Sequence, residues 1–161
     1  MVMSLGGGHA TLKKDNGTFS TPACEYSIGY YPIRNLSINY TYLSSLSNTG
    51  MTKNEGFETD TQVKFSVHSL SVSAYQPVWR AIDIYGSIGI SRAEVDEQSH
   101  EVNATSSTIN DGAATRSYFK AGVSTKINWD KRVKLYLNYT YQPLALDYDM
   151  QFWSAGVHYN F

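Results

Sequence analysis

A single cysteine, four prolines and no extended hydrophobic run are what this 161-residue chain offers in place of the usual landmarks. With Cys24 alone, no internal disulfide can form, so the framework must be hydrogen-bonded, and an outward strand position makes Cys24 a small apolar side chain. So few prolines leave room for long uninterrupted elements. Charged residues are only 17% of the chain and the net charge is -1, which excludes the basic footprint of a nucleic-acid binder. No apolar stretch approaches the roughly 18 residues of a membrane helix, and segments with helical period are absent. Neither fact bears on a membrane β-barrel, whose strands alternate lipid-facing and lumen-facing residues and keep mean hydropathy low, here -0.35. Met1 to Ala10 lacks both the basic and the apolar region of an export signal. A mature chain with a start methionine supplied for expression is therefore expected.

What the chain does have is tyrosine, 13 of them, with 3 Trp and 6 Phe, a composition suited to strands and to membrane interfaces. Strict alternation recurs in Cys24-Tyr26-Ile28-Tyr30, Leu36-Ile38-Tyr40-Tyr42, Leu70-Val72-Ala74, Ile82-Ile84-Gly86-Ile88-Ile90, Phe119-Ala121-Val123-Thr125-Ile127, Val133-Leu135-Leu137-Tyr139-Tyr141 and Trp153-Ala155-Val157-Tyr159-Phe161. With the glycine-rich opening around Leu5 to His9 this makes roughly eight strands, the smallest closed transmembrane barrel. The expectation is an all-β, up-and-down antiparallel transmembrane β-barrel of one domain, residues 1–161. Pro32 to Asn35, Pro77 to Arg80 and Trp129 to Arg132 read as tight turns; Lys13 to Thr21, Ser44 to Asp60 and Glu94 to Thr115 read as long polar loops. Short turns belong on the periplasmic side and long loops outside. The connection from Gln142 to Asp149 is short for an outer loop. One irregularity falls in the fourth strand, where Val63, Phe65 and Val67 alternate out of phase with Leu70, Val72 and Ala74. Either a bulge lies near His68 or the upper segment stands above the membrane, and the second is favoured.

The last eight residues carry the most specific signal. Ser154, Gly156, Tyr159 and Phe161 occupy the polar, glycine and terminal aromatic positions of a segment that resembles the C-terminal assembly signal of bacterial outer-membrane barrels. Tyr30, Trp79, Trp129, Tyr159 and Phe161 are expected in an aromatic girdle at the periplasmic interface. Tyr42, Tyr141 and Trp153 are expected toward the outer one.

The opposite strand faces line a lumen that an eight-stranded barrel fills with side chains. Asp83, Lys126, Lys134 and His158 come from four successive strands near the periplasmic end and are expected to gather as one carboxylate among several bases. Glu25 and Lys120 form a second, upper pair. Both sets read either as a buried salt-bridge network or as part of a proton or ion path, the network being favoured. No metal, cofactor or phosphate motif stands out, and no cofactor is expected.

The stretch from Val67 to Gly86 and the closing Trp153-Ser-Ala-Gly-Val-His-Tyr-Asn-Phe161 resemble the Ail/OmpX family of small enterobacterial barrels, although that family usually has arginine where Asn160 stands. The resemblance implies an eight-stranded outer-membrane barrel whose extracellular loops mediate adhesion to host cells and defence against complement. The implied partners are outer-membrane lipid and lipopolysaccharide, the barrel assembly machinery, and host matrix or serum proteins met by a monomer. The short last loop departs from the family. A narrow pore for ions or small solutes is the alternative, and a lipid A-modifying enzyme the third reading. Outer-membrane lipid A deacylases carry a His-x-Ser pair, which only His9-Ala10-Thr11 approaches, with threonine for serine and no local acid, so a non-enzyme is expected. Acidic residues such as Asp15, Glu55, Glu94, Asp96 and Asp111 outnumber basic ones in the outer loops. That argues against a polyanion as the primary ligand and is consistent with either solvated loops or a protein-binding face.

Overall fold

Alternation at every second residue builds one sheet closed on itself. The computed structural model describes residues 1–14, 17–46, 49–54, 57–101, 107–127 and 130–161. Among the described residues nine strands run in chain order: β1 (Val2–Lys14), β2 (Gly17–Ile33), β3 (Leu36–Ser45), β4 (Thr49–Asn54), β5 (Phe57–Pro77), β6 (Ile82–Glu101), β7 (Ser107–Ile127), β8 (Asp130–Pro143) and β9 (Asp149–Asn160). Each pairs antiparallel with its neighbour, and β1 closes the ring against β9 from Val2↔Asn160 to Lys13↔Asp149. Strands β3 and β4 pair in succession with the same strand, β5, so they share one place in an eight-stranded barrel. Closure leaves no open edge in the membrane-spanning part, the condition for a sheet to span lipid.

The fourth barrel strand settles the question raised by its sequence. Its pairing with β6 runs unbroken from Thr59↔Glu101 to Pro77↔Asp83, so no bulge lies near His68. Val63, Phe65 and Val67 are buried while Leu70 and Val72 are exposed, in one continuous register. The apolar face therefore changes sides where the strand leaves the membrane. Below that level Leu5, Ile28, Ile38, Leu70, Ile84, Ile88, Ile90, Val123, Leu135 and Leu137 form an exposed outer belt, with Ile88 72% accessible. A continuous apolar band of this kind is untenable in water and suits a bilayer. Above it the outer face is polar and the interior holds a core of Leu12, Phe19, Leu43, Val63, Phe65, Val67, Val95, Met150 and Phe152.

The expected long loops are accordingly corrected. β1 reaches Lys14 and β2 starts at Gly17, β4 lies inside the second stretch, and β6 and β7 extend to Glu101 and from Ser107. In β1, β2 and β6 the outward residues of these stretches are mostly polar and the sparse inward ones, such as Phe19 and Val95, are buried, so strand alternation there has the mean composition of a loop. Among the described residues register shifts occur at Tyr30/Ile33 and Lys126/Ile127, both at the end with the short turns.

Candidate functional site

The lumen and its two ends are the only places where polar chemistry is enclosed among the described residues, and they form four levels. At the lower mouth Lys134 Nζ lies 2.8 Å from Asp83 Oδ2, with side chains 19% and 12% exposed. Lys126, expected beside them, is exposed at the rim and makes no ion pair with Asp83. It sits next to the shift at Lys126/Ile127, which re-aims the strand end. His158 is also engaged elsewhere: its Nδ1 is 2.5 Å from Ser4 Oγ.

Above the mouth, aromatic rings cross the barrel. Tyr31 and Tyr75 are 5.6 Å apart, Tyr75 stacks on Tyr85 at 5.1 Å, and His158 lies between Tyr85 and Tyr136, stacked on the latter at 4.2 Å. Tyr85 donates its hydroxyl proton to Asn138 Oδ1, which ties this shelf to β8. The third level holds Lys120 Nζ 2.6 Å from Glu25 Oε1, both nearly inaccessible. Their strands, β2 and β7, are not neighbours, so the pair crosses the barrel. Around it Asn39 donates to Ser37 and Ser73, and Ser73 pairs with Ser87 at 2.7 Å. Between these side chains lies a small polar cavity of about 30 Å³, narrow enough that only small solutes such as water fit.

The fourth level is a lid. Leu144, Ala145 and Tyr148 are buried in the outer core, and Leu144 N–H donates to Tyr148 O at 2.7 Å. Leu146 and Asp147 take positive φ values of 55° and 60°, uncommon for aspartate and costly for leucine. Burial of their neighbours offsets that strain. Tyr148 donates to Glu97 at 3.1 Å, Lys14 pairs with the same carboxylate at 2.8 Å, and the Lys14 ammonium lies 4.8 Å from the Tyr148 ring centre. Burial, reinforced by the Glu97 carboxylate, holds the Tyr148 phenol above its usual range, so it stays a neutral donor. By residue order alone this segment is a plain short connection. Its one signal was the apolar Leu144-Ala145-Leu146 run in a place expected to be polar.

Of the assembly-signal residues, Ser154 and Gly156 point inward and Tyr159 stacks edge-on against the exposed Phe161 at 4.9 Å. A Cβ at Gly156 would fall 2.6 Å from the Gly6 Cα, so the closing seam itself requires glycine there. Among the lower aromatics Tyr30 and Trp79 are exposed; Trp129 lies outside the described residues. Among the upper ones Trp153 meets Tyr139 at 4.9 Å and Tyr141 meets Phe119 at 5.8 Å, while Tyr42 lies tilted against His68 at 4.9 Å.

Serine–histidine contacts also form between paired strands, where no single-strand spacing announces them. Ser20 Oγ is 3.2 Å from His9 Nδ1 and 3.1 Å from Nε2, equidistant and therefore along neither lone pair. Ser4 and His158 are enclosed between aromatic rings. Neither histidine has a carboxylate hydrogen-bonded to it among the described residues, so neither contact forms a nucleophile, base and orienting acid.

No protein-family model matches the chain, and no curated protein matches it. Solved structures do. Neisserial surface protein A, NspA, is similar with a TM-score of 0.75 and 16% identity over 99% of this chain and 96% of that one. Ail, the attachment invasion locus protein of Yersinia pestis, in complex with the heparin analogue sucrose octasulfate, has a TM-score of 0.61 and 14% identity over 99% and 98%. The N-terminal β-barrel domain of Pseudomonas aeruginosa OprF has a TM-score of 0.59 and 14% identity over 98% and 97%. At these identities the likeness is one of fold. The chain has the fold of a small outer-membrane β-barrel, together with the lipid-facing belt that such a fold requires.

Proposed function

We propose that this is a non-enzymatic, monomeric outer-membrane surface protein whose outer extension contacts host or envelope proteins. The observation that carries the reading is the extension itself. Strands β5, β6 and β7 continue past the belt as paired strands, β5 and β6 over an apolar core that Ala114 of β7 adjoins, which makes a platform of sheet beyond the membrane. Its outward surface brings Lys64, Asp96 and Asp111 into one cross-strand row, with Arg92 and Glu94 3.7 Å apart beneath it. Ail and NspA, by their names an attachment protein and a surface protein, support the general class. The heparin analogue bound to Ail calls for basic charge, whereas acidic residues outnumber basic ones in this chain's outer stretches, so a protein partner suits it better than a sulfated saccharide. Outer-membrane lipid and lipopolysaccharide would surround the belt, and the assembly machinery would read the C-terminal strand. Intact cells displaying the protein should bind host matrix or serum proteins, and a variant with the β6–β7 hairpin shortened to the Ala93–Ala114 pair should lose that binding. Equal binding by both would refute the reading.

The pore alternative meets two obstructions, the tyrosine shelf below and the lidded apolar core above. In a planar bilayer the purified protein should give no discrete conductance steps. Regular steps that persist after the lid is fixed to β6 by an engineered disulfide would show a path around both.

A further inference from the structure

We infer that the lower mouth is a binding cup for a phosphate-type oxyanion. The mouth is a cavity of about 340 Å³ at the end with the short turns, bounded by β2, β5, β6, β7, β8 and the final residues of β9. Three cations, Arg34, Lys126 and Lys134, line it against one carboxylate, Asp83. Lys134 neutralises Asp83 at 2.8 Å, which leaves the charges of Arg34 and Lys126 uncompensated by any carboxylate among the described lining residues.

Both of those side chains belong to exposed residues at the rim, so they remain hydrated and carry no desolvation penalty before a ligand arrives. Arginine supplies a planar fork that fits two oxygens of a phosphate, and lysine supplies a point charge. Neutral donors complete the lining. Asn35 sits in the turn beside Arg34, and the Asn160 amide, held by a 3.2 Å hydrogen bond to the Arg132 carbonyl, faces it from the last strand. The cup is blind, because the Tyr31 and Tyr75 rings roof it 5.6 Å apart. An anion can therefore bind there without entering the lumen. The same chemistry could be presented by a free phosphate-bearing solute or by the headgroup of an anionic phospholipid in the adjoining leaflet, since the exposed Tyr30, Trp79 and Phe161 lie at the same end.

The test uses the full chain in nanodiscs of zwitterionic lipid, titrated with inorganic phosphate against chloride at matched ionic strength and followed through the Asn35 and Asn160 side-chain amide resonances. Saturable shifts specific to phosphate are expected. Arg34→Gln and Lys126→Gln should each weaken the affinity by about tenfold, the loss of one charge-assisted hydrogen bond. Arg92→Gln, at the opposite end, should leave it unchanged. A second arm replaces part of the lipid with phosphatidylglycerol. Shifts present there before phosphate is added, with weakened phosphate binding, assign the headgroup as the source; unchanged titration assigns the free solute. Unheated gel migration confirms that each variant is folded. Shifts that chloride reproduces, that fail to saturate, or that survive both substitutions overturn the inference. The surface-protein reading does not depend on the outcome.

Discussion

Gly8→Ala should abolish the closed barrel, while Gly7→Ala, one residue earlier, should leave it intact. Gly8 points into the seam between β1 and β9, where it pairs with Ser154. A Cβ there would overlap the Trp153 carbonyl oxygen and lie 2.7 Å from the Ser154 Cα, both backbone atoms that cannot rotate away. Gly7 points outward and its nearest neighbour, the Ala23 carbonyl oxygen, would be 3.7 Å from the added carbon, an ordinary contact. Overpacking a yielding core costs about 1–3 kcal/mol, and a backbone clash at the closing seam should exceed that. Protein refolded in detergent and run unheated on a gel reports closure directly, since an intact barrel migrates differently from boiled protein. The Gly8 variant should show only the boiled position. If both variants migrate as closed barrels, the β1–β9 register is wrong.

The second large effect belongs to the Glu25–Lys120 pair. Glu25→Gln strands a lysine whose side chain is 10% exposed and whose partner was 4% exposed. Breaking such a buried pair costs about 3–5 kcal/mol, most of it the uncompensated charge. Asp83→Asn breaks a pair that opens into the lower mouth, where Lys134 is 19% exposed and can recruit water. Its cost should be smaller, about 1–2 kcal/mol, between the values for exposed and buried pairs. Asp111→Asn on the outer extension should stay within about 0.5 kcal/mol. Urea midpoints in lipid vesicles rank the three. A midpoint for Asp83→Asn below that for Glu25→Gln would reverse the depths assigned to the two pairs.

Much of this architecture is legible in the residue order because alternation is a local signal. The belt strands, the short turns at Pro32 to Asn35 and Pro77 to Arg80, and the change of phase between Val67 and Leu70 follow from which residues stand two apart, while the turn expected from Trp129 begins outside the described residues and Asp130 to Arg132 lie in β8. The resemblance to the Ail/OmpX family agrees with the similarity in fold to Ail. Asp83 and Lys134 are also brought together as their strand positions suggest. The upper extension was not legible, since polar outward residues and widely spaced inward ones such as Phe19 and Val95 imitate a loop. The lid could not be read from Gln142 to Asp149 because its burial depends on walls supplied by β1, β2 and β6. Lys126 lines the same mouth, opposite Lys134 in the ladder, but stands exposed at the rim, a difference of depth that alternation does not announce. That Lys120 meets Glu25 across the barrel depends on barrel diameter and shear, which alternation alone leaves open.

The central claim is that β5 keeps one register while its apolar face passes from lipid to an internal core at the membrane boundary. Spin labels placed one at a time along β5 from Gln62 to Ala74, in a Cys24→Ser background, test it through their collisions with a lipid-soluble and a water-soluble relaxant. Labels at 70, 72 and 74 should respond to the lipid-soluble reagent, labels at 62, 64 and 66 to the aqueous one, and labels at 63, 65 and 67 to neither. Strong lipid-phase relaxation at 63, 65 and 67 would instead mean a register slip near His68, with the upper core and the extension built on it lost.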